Sequence, residues 1–125
     1  MIEISENPQR TRKRLLVKKG IENIALKTED VALIFTENKI AFVIDGKTGT
    51  KYIIDKNLSI LEKELDSSIF FRANRKYIIS INFIKAFRPF EKVKLQVDVN
   101  TPDNIRQVII SQESSKSFKS WINEV

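Results

Sequence analysis

The chain of 125 residues contains no cysteine and no histidine. Without cysteine there are no disulfides, no thiolate metal sites and no cysteine nucleophile. Histidine is the commonest general base and metal ligand, so its absence argues against a catalytic triad or a zinc enzyme. A two-carboxylate mechanism is formally open, but the aspartates stand singly at turns and helix boundaries. We therefore predict a protein that is not an enzyme and holds no metal or cofactor.

Glycine and long apolar runs are scarce as well. Three glycines do not make a glycine-rich phosphate loop, and no stretch approaches the roughly 20 apolar residues of a membrane span. The first nine residues are polar and lack the apolar core of a secretory signal. These absences favour a cytoplasmic protein with no membrane partner, and the length favours a single domain.

The charge balance is basic, with 22 lysines and arginines against 16 acids and a net charge of +6. This favours an anionic partner, and nucleic acid ahead of membrane because no basic amphipathic helix stands out. A small domain also carries such charge for solubility alone. Residues 1–13 are predicted to be a linker or N-terminal tail, in which Arg10, Arg12 and Lys13 either contact phosphates or solubilise the linker.

Short apolar runs rich in Ile, Val, Phe and Tyr alternate with turn residues along most of the chain. They predict eight or nine short strands, paired mostly antiparallel, and a mainly β fold. In two segments the spacing of the apolar residues changes from that of a strand to that of a helix. Leucines spaced for one helical face indicate a short helix from Asn57 to Leu65, and Phe118, Trp121 and Ile122 indicate a final helix that Ser111 caps.

One stretch combines charge and apolar residues unusually: FFRANRKYIISINFI, residues 70–84. Arg72, Arg75 and Lys76 stand between two apolar runs. Since unpaired buried charges cost too much free energy, the chain must come to the surface here and then return to the core. Arginine is the best side chain for guanine, through a bidentate bond to O6 and N7. The alternative is a solvated loop that keeps a hydrophobic strand soluble.

This stretch resembles the central motif of the LytTR family, the DNA-binding domains at the C-terminus of many bacterial response regulators. Further segments resemble the family in the same order, and together they cover about residues 14 to 122. The resemblance implies an elongated all-β fold of short antiparallel strands with minor helices. It also implies that loops, rather than a recognition helix, read the major groove. The matching residues of the motif are Phe70, Arg72, Arg75, Tyr77, Ile78, Ile79 and Ile84.

The family's contact loops correspond here to residues 36–39, 74–76 and 111–113. Four positions differ from the commoner family residues: in these loops Asn74 replaces a histidine, Lys76 a serine and Gln112 an arginine, and in the strand that follows Ser80 replaces an asparagine. Since Asn and Gln can bond adenine bidentately, base readout survives chemically. The candidate DNA-binding residues are Asn38, Lys39, Arg72, Asn74, Arg75, Lys76 and Gln112.

The resemblance implies a transcriptional regulator in which residues 14–125 form the DNA-binding output domain. Its partners would be double-stranded DNA, an N-terminal receiver domain and that domain's sensor kinase, and phosphorylation would favour a homodimer on paired half-sites. The alternative is a protein-interaction module that docks a partner through its apolar strands and terminal helix. A DNA affinity that falls steeply with salt separates the two hypotheses.

Overall fold

The computed structural model describes residues 11–123, and within this range the chain forms ten strands and two α-helices. The prediction of a mainly β, antiparallel fold is confirmed. No helix in this range is long and apolar enough to span a membrane. In chain order the elements are β1 (Arg14–Lys19), β2 (Glu22–Lys27), β3 (Val31–Glu37), β4 (Ile40–Asp45), β5 (Lys51–Ile54), α1 (Leu58–Glu64), β6 (Phe70–Asn74), β7 (Tyr77–Ser80), β8 (Ile84–Phe90), β9 (Lys94–Asn100), β10 (Ile105–Ile110) and α2 (Gln112–Ile122).

The strands form two antiparallel sheets. Seven strands make the larger sheet in the order β2-β1-β5-β4-β3-β7-β6, and three make the smaller sheet in the order β10-β9-β8. Short 3-10 turns at residues 28–30 and 81–83 lead into β3 and β8. The chain thus completes the larger sheet before it builds the smaller one.

The central strand β3 explains how the layers stack. Residues 31–35 are all buried, because both faces of β3 are covered. On one face Ile34 joins the core that Leu58 and Leu61 of α1 close. On the other face Leu33 packs into the core between the two sheets, which Phe118 of α2 seals. A strand buried on both faces is expected to be continuously apolar, as this one is.

Both predicted helices are present. The Asn57 side chain caps α1, since its Oδ1 accepts a hydrogen bond from the Ile60 N–H at 2.9 Å. Ser111 occupies the N-cap position of α2 but makes no side-chain capping bond. The aromatic face of α2 turns inward: Phe118 is fully buried, and Trp121 Nε1 donates to the carbonyl oxygen of Ser67 at 2.8 Å.

The strand β8 was not predicted. Its sequence, IKAFRPF, carries Lys85, Arg88 and Pro89, which interrupt the apolar alternation. Proline is tolerated because β8 is an edge strand of the smaller sheet. The Arg88 guanidinium forms an ion pair with the Asp98 carboxylate of the neighbouring strand β9. The hydrogen bond from Arg88 lowers the pKa of Asp98.

Candidate nucleic-acid interface

Three loops meet at one end of the molecule. The β3–β4 loop and the β6–β7 loop are joined by a hydrogen bond of 3.0 Å from the Thr36 N–H to the Lys76 carbonyl oxygen. The connection from β10 to α2 reaches the same place, since the Ser111 N–H donates to the Ala73 carbonyl oxygen at 3.0 Å. These are the loops that the sequence singled out, and the fold brings their residues together on one surface, which we call the loop surface (residues 36–39, 74–76 and 111–113).

A β-bulge shapes the end of β6. Arg72 pairs with Ile78 and Asn74 pairs with Tyr77, so Ala73 is an extra residue on this strand. Its carbonyl oxygen is therefore free to accept the bond from Ser111. Bulges bend a strand and re-aim its side chains, and they are frequent beside functional sites. This one fixes how the β6–β7 loop leaves the sheet.

The Asn74 side chain holds that loop in shape. Its Oδ1 accepts from the Lys76 N–H at 2.7 Å, and its Nδ2 donates to the Ile109 carbonyl oxygen at 2.6 Å. The first bond closes a tight turn around Arg75, and the second ties the turn to β10 of the other sheet. Both ends of the amide thus have protein partners, and the role of Asn74 as a base reader stays a prediction.

Arg72 also holds the β6–β7 loop in place through hydrogen bonds. Its Nε donates to the Asn74 carbonyl oxygen and its Nη2 to the Arg75 carbonyl oxygen, both at 2.8 Å. Its Nη1 donates to Glu62 Oε1 of α1 at 3.0 Å. Two nitrogens of one planar group therefore fix the backbone that carries Arg75, and the third ties the group to α1. The structure gives Arg72 a positioning role, and direct DNA contact by Arg72 stays a prediction.

Arg75 and Lys76 lie in the β6–β7 loop that Arg72 and Asn74 hold in shape. Both side chains are exposed, and neither forms an ion pair with any residue from 11 to 123. Their charges are free for an external anion, whereas their backbone is held by Arg72, Asn74 and Thr36. A rigid loop with free charged side chains is well suited to recognition, because little order is lost on binding.

The β3–β4 loop is a two-residue hairpin with an unusual backbone. Asn38 and Lys39 have φ angles of 53° and 68°, and both are exposed. Such hairpins favour Asn or Gly at positions with positive φ. Lysine is not among the residues that adopt this conformation readily, so Lys39 is a strained residue beside the candidate site. Strain of this kind makes Lys39 a candidate for a functional role.

The third loop completes a groove. Gln112 and Glu113 are the first two residues of α2 and are exposed. The groove runs between α2 and the β6–β7 loop, and its walls include Tyr77 and Ser114, neither of which was among the candidate DNA-binding residues. Tyr77 matched the family motif without an assigned contact role, and no local signal places Ser114 near Arg75. The residues lining the groove are Arg72, Asn74, Arg75, Lys76, Tyr77, Ser111, Glu113 and Ser114.

The predicted phosphate-contacting tail lies elsewhere. The Arg12 N–H donates to the Glu64 carbonyl oxygen at 2.9 Å, and the Lys13 carbonyl oxygen accepts from the Thr28 N–H at 3.0 Å. Thr28 precedes β3, whereas the loop surface lies at the other end of that strand, about 20 Å away at ~3.3 Å per residue. Arg10 lies outside the described residues. Contact between the tail and DNA stays a prediction.

These features define a small β-rich domain that presents basic and amide side chains from loops at one end, a class suited to nucleic-acid binding. The model of the LytTr DNA-binding domain family matches residues 22–123, and the chain belongs to this family. The resemblance found in the sequence is therefore confirmed.

A solved structure has the same fold. It is described as the LytTr DNA-binding domain of a methyl-accepting/DNA response regulator from Bacillus cereus, and it is 20% identical to this chain with a TM-score of 0.79. The match covers 90% of this chain and 99% of that chain. At this identity the likeness shows the fold alone. No curated protein sequence matches the chain.

Proposed function

We propose that this domain binds duplex DNA sequence-specifically and reads the major groove with its loop surface. The observation that carries the proposal is the exposed, unpaired Arg75 on a loop whose backbone is fixed by Arg72 and Asn74. The role is regulatory rather than enzymatic, and it requires a cytoplasmic location.

The side chains of the loop surface divide by chemistry. Arg75 is suited to guanine, since its guanidinium can donate to O6 and N7 together. Asn38 and Gln112 carry amides that match adenine N6 and N7. Lys39 and Lys76 are exposed point charges suited to phosphates. Arg72 and Asn74 hold the β6–β7 loop in shape through their hydrogen bonds. The N–H groups of Arg72 and Asn74 that make no bond within the protein are available to the same duplex.

Selection of binding sites from random DNA tests this function. The selected duplex and a scrambled duplex of equal length and composition are then titrated with the protein at several salt concentrations. We expect tighter binding to the selected duplex and a log–log salt slope that reports several phosphate contacts, about 0.9 per contact. Equal affinity for both duplexes would contradict sequence-specific reading, and no binding at low salt would contradict the whole proposal.

We also propose that the tail adds phosphate contacts. Since Arg12 and Lys13 lie at the end opposite the loop surface, the duplex must run along the length of the domain to reach them. Replacing Arg10, Arg12 and Lys13 by glutamine should lower the salt slope and leave the base preference intact. An unchanged slope would make residues 1–13 a linker only.

The regulatory setting is proposed from the family: a receiver domain N-terminal to residue 14, controlled by a sensor kinase, and a homodimer on DNA. The placement of residues 11–13 supports it, because a domain attached there would not cover the loop surface. Sedimentation of the full-length regulator on a duplex with two half-sites tests it. Phosphorylation of the receiver should raise the share of two proteins per duplex, and an unchanged share would refute this setting.

The alternative of a protein-interaction module is less well supported. It used the apolar strands together with the apolar face of the terminal helix, and the helix part required that face to be available to a partner. Phe118 is instead fully buried, and Trp121 packs against Phe71 with ring centroids 5.0 Å apart. The apolar residues of α2 therefore close the domain's own core.

A further inference from the structure

An aromatic row crosses the larger sheet directly behind the loop surface. Phe35 pairs in register with Phe42 on one side and with Tyr77 on the other. The ring centroids of these two pairs are 5.4 Å and 5.7 Å apart. Thr36 follows Phe35 and Lys76 precedes Tyr77, so this row is one residue away from the hydrogen bond that joins the two loops.

Two cations from different sheets converge on this row. Lys51 Nζ of β5 lies 4.4 Å from the ring centroid of Phe42 and 6.0 Å from that of Phe35. Arg106 of β10 places its Cζ 5.7 Å from the Phe35 centroid, so both charges meet one ring. Cations are attracted to the faces of aromatic rings, and two like charges share the Phe35 ring.

No acid described in the structure neutralises this pair. Neither Lys51 nor Arg106 has an ion-pair partner among residues 11–123. The Arg106 Nε is in addition buried and has no hydrogen-bond acceptor in the same range. A buried donor without an acceptor costs free energy, and in a native protein it calls for an explanation. An acceptor that reaches this guanidinium would satisfy the donor, and a negatively charged one would also offset the two positive charges.

We propose that Lys51 and Arg106 together bind a phosphate group over the Phe35–Phe42 ring pair. This inference rests on the function proposed above, in which the phosphate belongs to the DNA backbone next to the bases that the loop surface reads. Guanidinium is the planar partner of phosphate oxygens, and the lysine adds a point charge. Both cations lie within about 6 Å of the Phe35 ring centroid, and a phosphate between them would be the third member of the cluster.

Salt dependence of DNA binding tests the site against a matched control. Lys51→Gln/Arg106→Gln removes two positive charges here, and Lys27→Gln/Lys63→Gln removes two exposed charges near the opposite end. Both are made in a protein whose Arg10, Arg12 and Lys13 are already glutamine, so that the proposed tail contacts are absent from both. The first variant should lower the log–log salt slope by about 0.9, the value for one phosphate contact, beyond any change in the second. Equal changes in both variants would overturn the inference. Lys51→Gln alone serves as a second variant, because Arg106 packs on Phe35, and thermal unfolding checks that each variant is folded.

The source of the phosphate is tested by NMR on the unmodified protein. The Nε–Hε signal of Arg106 is followed during titration with inorganic phosphate and, separately, with the selected duplex. A shift with the duplex together with the fall in slope supports a DNA phosphate, and a saturable shift with inorganic phosphate and no change in slope supports an anion site for free phosphate. No shift with either ligand overturns the site.

The two proposals fail differently. If the unmodified protein does not bind the selected duplex, the proposed function fails, whereas the inorganic phosphate titration still decides the anion site. If it binds the duplex normally and Lys51→Gln/Arg106→Gln has the slope of the control variant, only the further inference fails.

Discussion

The guanidinium of Arg72 donates through Nη2 to the carbonyl oxygen of Arg75, at 2.8 Å. One arginine of the motif thus fixes the backbone of the other, so the two have different roles although both are basic and three residues apart. Arg72 is only 23% exposed in its side chain and is braced by Glu62. Arg75 is exposed.

The first prediction separates base reading from phosphate contact. Arg75→Ala should weaken binding to the selected duplex by about 1–3 kcal/mol, because a bidentate base contact is lost. The free energy of unfolding should change by no more than about 0.5 kcal/mol, as for an exposed substitution. Lys76→Ala should instead weaken binding to the selected and scrambled duplexes about equally.

The measurement is a titration of both variants against both duplexes at one fixed salt concentration. Lys63→Ala, an exposed lysine near the opposite end of the domain, controls for the loss of charge. If Arg75→Ala bound the selected duplex like the unmodified protein, the β6–β7 loop would not be the reader.

The second prediction concerns Arg72→Lys. Lysine keeps the positive charge but cannot donate to Glu62 and to two loop carbonyl oxygens from one planar group. Affinity for the selected duplex should fall, because Arg75 is no longer held, whereas the salt slope should stay the same. A lower slope with unchanged preference for the selected duplex would instead make Arg72 a phosphate contact. Arg75→Lys serves as the comparison, because it measures how much affinity is lost when the planar guanidinium is removed from the residue proposed to contact the base.

The larger part of the fold follows from the sequence. Alternating apolar residues indicated antiparallel strands, and the leucines of α1 share one face because they repeat with the helical period. The edge strand β8 escaped prediction, because a strand with few buried positions has no apolar alternation to detect. Its Arg88 and Pro89 are suited to an edge and unsuited to a central strand.

The candidate site was predictable in its position and less so in its internal roles. Charged residues between apolar runs located the β6–β7 loop. The bond from Asn74 to Ile109 joins residues 35 apart in sequence, so no local pattern shows that this amide has a structural partner. Arg106 was overlooked for a related reason. Only the pairing of β10 with β9 decides that its side chain faces the aromatic row.

The third prediction concerns acid stability at the end opposite the loop surface. Glu64 Oε1 lies 2.7 Å from Lys56 Nζ and 3.3 Å from Arg12 Nε. The hydrogen bond from Lys56 is the main cause that lowers the pKa of Glu64 in the folded protein. Since the pKa is lower folded than unfolded, the carboxylate stabilises the fold at neutral pH. That contribution is lost as the pH falls through the folded-state pKa.

Glu64→Gln should therefore destabilise the protein at about pH 7, by no more than about 1 kcal/mol because the ion pairs are partly exposed. The difference from the unmodified protein should vanish at about pH 2, below the usual carboxyl range. Urea unfolding at both pH values measures it, and Glu29→Gln, which changes an exposed carboxylate, is the control. A difference that persists in acid would show that the glutamine side chain, and not the lost charge, disturbs the fold.

The last prediction uses the strained hairpin of the loop surface. Lys39 has a φ of 68°, which costs a non-glycine residue roughly 1–2 kcal/mol. Lys39→Gly should therefore raise the free energy of unfolding, by up to about 1 kcal/mol after the greater flexibility of glycine in the unfolded chain is counted. It should at the same time weaken DNA binding and lower the log–log salt slope by about 0.9, because one phosphate contact is lost. Asn38→Gly is the matched control for stability and for the salt slope: asparagine tolerates positive φ, so the gain in stability should be smaller, and no charge is removed, so the slope should stay the same even though the proposed base contact of Asn38 is lost. Urea unfolding and duplex titration over a range of salt measure the two effects. A Lys39→Gly protein that is more stable and binds DNA with the same slope would show that the lysine is strained for some reason other than phosphate contact.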